Sequence, residues 1–186
     1  MNYKVIISIV VLVLSTHVYG QEQQQINDQS ESVKTYNNEI RFNLLTAVAG
    51  IPEVNYERFI DENMGLGLAV GLGLDQSLST KAYILPYYRL YFGKKKASGF
   101  FIEGNMAVVS QKETYNTYDY YGYTVTPIMG TYTKSTTNFG FGAAIGVKLL
   151  ARKGYTGEVF LGGGRLFGES IASAYPRIGI CLGKRF

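Results

Sequence analysis

The chain has 186 residues, with 18 Lys and Arg against 14 Asp and Glu and a formal net charge of +4. That is enough for one compact domain, and the basic residues, scattered or gathered in turns, leave a nucleic-acid partner without the patch it requires. The one histidine, His17, lies in a leader segment and the one cysteine, Cys181, has no partner, so histidine-based catalysis, the commonest zinc sites and an intramolecular disulfide are excluded from the mature chain.

Lys4 supplies a short positive region, the stretch from Val5 to Leu14 is almost wholly apolar, and Val18-Tyr19-Gly20 offers a small-residue cleavage site. Residues 1–20 are therefore expected to be a signal peptide. No cysteine stands at the cleavage region to carry a lipid. Residues 21–38, rich in Gln, Asn, Ser and Glu, cannot drive packing and are expected to form a flexible periplasmic lead-in to a domain over 39–186.

From Glu39 onward the pattern has period two. In the first segment, running from Glu39 to Val48, Ile40, Phe42 and Leu44 alternate with Arg41, Asn43 and Leu45 before Gly50-Ile51-Pro52 turns the chain. In the second, Val54, Tyr56, Arg58 and Ile60 oppose Asn55, Glu57 and Phe59. The third sets Leu66, Leu68, Val70, Leu72 and Leu74 against Gly65, Gly67, Ala69, Gly71 and Gly73, one face greasy and the other nearly bare. The fourth places Ile84, Pro86, Tyr88, Leu90 and Phe92 against Tyr83, Leu85, Tyr87, Arg89 and Tyr91. Pro86 lacks a ladder donor, which predicts a bulge there.

Lys94-Lys95-Lys96 turns into a fifth segment, where Phe100, Ile102, Met106 and Val108 oppose Phe101, Glu103, Asn105 and Ala107. The sixth opposes Phe139, Phe141, Ala143, Ile145, Val147 and Leu149 to Asn138, Gly140, Gly142, Ala144, Gly146 and Lys148. In the seventh, Val159 and Leu161 oppose Glu158, Phe160, Gly162 and Gly164. The eighth puts Ile178, Ile180, Leu182 and Phe186 opposite Arg177, Cys181 and Arg185, and ends on an aromatic residue.

Eight strands with an apolar face predict an all-β fold, an eight-stranded antiparallel transmembrane β-barrel with short periplasmic turns and one long extracellular loop. Strands of about 9–11 residues suffice when tilted in a bilayer, and closure leaves no backbone edge unpaired in lipid. The short connections at Asp61-Glu62-Asn63, 94–98 and Arg152-Lys153-Gly154 all fall at one end, and the longest, 110–137, at the other. A soluble periplasmic barrel of lipocalin type is the competing fold; it would hold its apolar side chains inside and its polar ones outside.

The runs Val54-Asn55-Tyr56-Glu57-Arg58-Phe59, Gly65-Leu66-Gly67-Leu68, Tyr87-Tyr88-Arg89-Leu90-Tyr91-Phe92, Gly99-Phe100-Phe101-Ile102-Glu103-Gly104 and the closing stretch from Pro176 to Phe186 resemble the small outer-membrane barrel families of Bacteroidota-type bacteria, within the OmpA/OmpX-like architecture. The resemblance covers nearly all of the mature chain and implies location and topology, with no agreed activity. It implies the cell outer membrane of a Gram-negative bacterium, with outer-membrane lipid, lipopolysaccharide and the outer-membrane assembly machinery as partners. Ile180, Leu182 and Phe186 are the expected C-terminal assembly signal. A soluble peptidoglycan-binding domain of the kind larger OmpA-like members carry is not expected, and neither is a cofactor.

Glu57, Glu103 and Glu158 fall on inward faces with Arg41, Arg89, Lys148, Arg177 and Arg185. A narrow lumen requires such charges to be paired, so they are expected to form a network plugging the barrel. A gated small-solute path lined by the same residues is the alternative. Three carboxylates on separate strands do not make a glycosidase pair, and the absence of histidine removes Ser-His and Asp-His arrangements, so no enzymatic activity and no metal site are expected. Tyr115, Tyr118, Tyr120, Tyr121, Tyr123 and Tyr132 stand in the long connection among Thr, Asn, Gly and Asp. That mixture suits contact with an external surface ligand such as a host surface, a glycan or a phage. In the alternative, strands five and six project beyond the membrane and the tyrosines pair across them or join an interfacial belt.

Overall fold

The computed structural model describes residues 36–75, 78–119, 128–168 and 173–186. The expected signal peptide and residues 21–35 of the lead-in lie outside the described residues. The first strand begins at Asn38, the last residue of the expected lead-in.

Eight strands in chain order close into a barrel with every neighbour antiparallel. They are β1 (Asn38–Asn43), β2 (Glu53–Asp61), β3 (Met64–Leu72), β4 (Thr80–Tyr91), β5 (Gly99–Asp119), β6 (Ile128–Leu150), β7 (Tyr155–Phe167) and β8 (Ala174–Arg185). The ladder between first and last strands runs to the end of the chain: Phe186 N donates to Asn38 O at 2.9 Å and Asn38 N to Phe186 O at 3.1 Å.

Alternation decides what lies inside. The residues at odd positions of β1, of β2 as far as Phe59, and of β3 face the lumen, and the even ones, including Phe42, Val54, Leu66 and Leu68, stand exposed on the outer wall. The same division holds around the barrel, through Leu90, Ile102, Ile145 and Leu161 to Leu182. Apolar side chains outside and charges inside is the reverse of a lipocalin arrangement. The glycine face of β3 has a packing reason. A Cβ on Gly67 would fall into the ring of Tyr87, and one on Gly71 into the ring of Tyr83, so the bare strand makes room for aromatic side chains of its neighbour.

Three expectations need correcting. The first period-two segment stops at Asn43, and 44–48 forms a short helix, α1 (Leu44–Val48). Asn43 caps it by accepting from Thr46 N at 3.4 Å, and Gly50 follows its end with φ of 84°, where a side chain would be strained. Pro86 makes no bulge: the register on both sides of it is unbroken, although no β4–β5 partner pairs form at Leu85 and Pro86, and the irregularity lies between Thr80 and Ala82. The expected long loop over 110–137 is largely a two-stranded ribbon, because β5 and β6 stay paired out to Asp119 and Ile128. Only 120–127 connects them, outside the described residues. The alternating Thr and Tyr content of the segment, a strand-forming composition, decides this over its polarity.

Candidate functional site in the barrel lumen

The middle of the lumen is ionic. Arg41 and Glu39 come from β1, Glu53 and Glu57 from β2, Arg89 from β4, Glu103 from β5, Lys148 from β6, Glu158 from β7, and Arg177 and Arg185 from β8; all ten are buried. Five carboxylates thus face five cations, and every pair is linked through its neighbours.

Arg41 is the hub on one side. Its Nη1 lies 2.6 Å from Glu39 and 2.5 Å from Glu57, and its Nε lies 3.2 Å from Glu158. Arg89 is the hub on the other, at 2.7 Å from Glu103, 2.9 Å from Glu158 and 3.4 Å from Glu57. Lys148 Nζ sits between Glu39 and Glu57, 3.1 Å from each. Toward the long-connection end, Arg177 donates from Nε to Glu103 at 2.8 Å and from Nη1 to Glu53 at 3.1 Å. Toward the short-turn end, Arg185 holds Glu39 at 2.9 Å and donates to the carbonyl oxygens of Lys96 and Ala97.

Aromatic side chains fill the space between these charges. The Arg89 guanidinium lies 4.2 Å from the Phe101 ring centroid and 4.7 Å from that of Tyr87, and Arg177 lies 4.6 Å from Phe160. Desolvated cations over aromatic faces gain about 2 kcal/mol or more each, which offsets part of the cost of taking them out of water. Below the ions, Phe59, Tyr91, Phe101 and Phe160 pack with Ala97 and Cys181; above them, Leu85, Ala107, Val109 and Leu166 pack with Tyr87 and Tyr175.

All eight charged residues singled out from the sequence are brought into this one network. Glu39 and Glu53 were missed. Each stands two positions before a residue already placed inward, Arg41 and Asn55, so extending the alternation by one step would have found them. Tyr83, Tyr87, Tyr91 and Tyr175 were also missed as network members: Tyr83 donates to Glu53, Tyr91 to Glu57 at 2.5 Å, and Tyr175 to Asn105 at 2.6 Å.

The tyrosines of the ribbon are placed only in part. Tyr115 is directly opposite Tyr132, and Tyr118 opposite Met129; Tyr120, Tyr121 and Tyr123 lie outside the described residues. Ile180, Leu182 and Phe186 stand exposed on the outer face of the closing strand and its end. Among the described residues, no group of three or more His, Cys, Asp or Glu could hold a metal ion.

Above the network a cavity of about 430 Å³ opens toward the long-connection end. Its walls are apolar, with Leu85, Val109 and Ile178 among them, and Glu53, Arg177 and Tyr83 form its floor. It is of the size that holds small ligands.

No family model matches the chain, and no curated protein matches it. Among solved structures, the chain is similar to the N-terminal β-barrel domain of Pseudomonas aeruginosa OprF, at 13% identity, covering 82% of this chain and 98% of that one with a TM-score of 0.48.

Proposed function

We propose that the chain is a non-enzymatic integral barrel of the Gram-negative outer membrane, exported by its signal peptide and acting as a structural and surface-presenting element with a lumen closed to solutes. The resemblance to small Bacteroidota-type barrels belongs to this reading. So do lipopolysaccharide as an outer partner and the assembly machinery as the reader of Ile180, Leu182 and Phe186.

The observation that carries the reading is the neutral network of ten buried charges. An aqueous pore keeps its charges hydrated, whereas these are paired with one another and packed between aromatic rings. Opening a path would require separating several buried ion pairs at once, among them Arg41–Glu57, Arg89–Glu103 and Arg177–Glu103. The apolar wall supports the membrane placement, since a water-exposed exterior of this kind would drive aggregation.

The test is conductance of the purified protein in a planar bilayer, with its folding checked by heat-dependent gel mobility of protein from a washed outer-membrane fraction. A silent bilayer with a mobility shift is the expected result. Steady unitary currents would replace the closed barrel with the gated solute path.

A second reading concerns the ribbon. Two strands that pair only with each other beyond the rungs of β4 and β7, out to Asp119 and Ile128, carry Tyr115, Tyr118 and Tyr132 in their sequence, which suits recognition of an external surface. Loss of surface adhesion on shortening the ribbon is the expected outcome; unchanged adhesion would remove this role.

A further inference from the structure

The barrel wall is incomplete where β1 leaves it. β1 has six residues, short of the about 9–11 that cross a bilayer. β8 pairs with it only from Cys181 to Arg185, so the outer part of β8, from Ile180 to Ala174, has a strand partner on its β7 side alone.

Asn43 marks the point of departure. Its side chain donates to Ile178 O at 3.1 Å and accepts from Ile180 N at 3.3 Å, serving backbone groups that the next rungs of β1 would have served. Alternation along β8 turns the nitrogen of Pro176 to this same side. A proline is tolerated there because no carbonyl waits for a donor. In place of a strand, α1 and the chain following it stand beside β8.

The cavity above the ionic network reaches this gap. It is lined by Tyr83, Leu85 and Val109, which face the lumen, and also by Ala174, Pro176 and Ile178, which alternate to the outer face of β8. The cavity is also bounded by Thr46, Ala49 and Ile51, from α1 and the chain after it, which replace a strand at this edge of β8. It therefore extends from the lumen to the gap beside β8.

We infer that this gap is a lateral port, holding an uncharged, mainly apolar small molecule that carries one hydroxyl or amide hydrogen and reaches the cavity from the membrane past α1. The inference rests on the membrane reading above for the direction of approach. The chemistry follows from the walls and the floor. The walls offer hydrocarbon. On the floor, Glu53 is already held by Arg177, Tyr83, Asn43 and Asn55, so a charged ligand would arrive without a counter-charge. The Tyr83 hydroxyl donates to Glu53 and keeps a lone pair free to accept from the ligand. The ion pairs beneath stop onward passage, so the port binds and does not conduct.

The test uses the full mature chain in phosphatidylcholine nanodiscs with labelled methyl groups and three probes: thymol, its hydroxyl-free analogue cymene, and toluenesulfonate. Thymol is expected to shift the Leu85, Ala107 and Val109 resonances along a saturable curve, while the outward Ile102 and Val108 show only the linear drift of partitioning into lipid. Cymene binds more weakly, and toluenesulfonate leaves the inward methyls unshifted. Ala49→Trp, placed at the exposed rim of the cavity, weakens thymol binding by roughly tenfold, while unchanged gel mobility reports its folding. Linear drift alone at the inward methyls, or toluenesulfonate binding as tight as thymol, would overturn the port. Saturable thymol shifts in a protein that also conducts ions would uphold it and overturn only the closed lumen.

Discussion

Asn43 donates from Nδ2 to the carbonyl oxygen of Ile178, 135 residues away, at 3.1 Å, and so joins the end of the first strand to the last strand beyond their shared ladder. The same side chain caps α1 and donates to Glu53 at 3.2 Å. One amide thus ends a strand, begins a helix and serves a buried carboxylate. Asn43→Ala removes all of these, and the lost cap and buried hydrogen bonds set an expected loss of about 2–4 kcal/mol. Urea titration of the reconstituted protein, followed by gel mobility of unboiled samples, measures it. A loss below about 0.5 kcal/mol, the range of neutral surface changes, would mean that the α1 junction does not hold the seam.

Arg41 and Glu57 form the closest ion pair of the network, with neither side chain reaching solvent. Glu57→Gln leaves Arg41 and Lys148 short of a counter-charge and is expected to destabilise the barrel by about 3–5 kcal/mol. Removing Arg41 and Glu57 together, each as Met, keeps the lumen neutral. The pair of changes should therefore cost less than the sum of the two single ones, with a coupling of about 1–3 kcal/mol in a double-mutant cycle. Additive losses would show that the two charges act independently.

The barrel itself was legible because period two is strict wherever one face forms the apolar outer wall and the other a packed lumen. Slipping Leu66 and Gly67 by one residue would bury a leucine where the Tyr87 ring lies. The lumen network was legible for the same reason, except at strand starts, where Glu39 and Glu53 have too little pattern before them. Alternation misled at 44–48, because Leu44 and Leu45 satisfy a strand and a helix equally over so short a run. The arbiters were Asn43 before it and Gly50 and Pro52 after it, which are helix boundary residues. The ribbon was legible only as the alternative to a loop: Thr, Tyr and Lys read equally as a polar connection or as two projecting strands, and β5 and β6 pair there residue for residue, with Tyr115 opposite Tyr132. The cavity was not legible at all, since it depends on where β1 stops relative to β8.

Glycine positions separate inward from outward faces by what a methyl group would meet. At Gly67 it would strike the Tyr87 ring, whereas at Gly104 nothing lies within 4 Å and at Gly157 only Leu182 at 3.9 Å. Gly67→Ala is expected to cost about 1–3 kcal/mol through displacement of Tyr87. Gly104→Ala and Gly157→Ala, by contrast, should be neutral or stabilising by up to about 1 kcal/mol in the same urea titration. Equal effects at all three would mean that Tyr87 is free to move aside.

Leu68 stands on the outer face midway along β3, 41% exposed, between Leu66 and Val70. If that face meets hydrocarbon, Leu68→Arg places a charge near the bilayer midplane and should cost about 2–4 kcal/mol of folding stability in vesicles. The same substitution near the rim should cost far less; Leu72→Arg, on the same face at the end of β3, is the matching control, at about 0–1 kcal/mol. In a barrel surrounded by water both changes would be harmless or would improve solubility. Measured folding into phosphatidylcholine vesicles therefore decides between lipid and water as the solvent of this wall, and a neutral Leu68→Arg would argue for water.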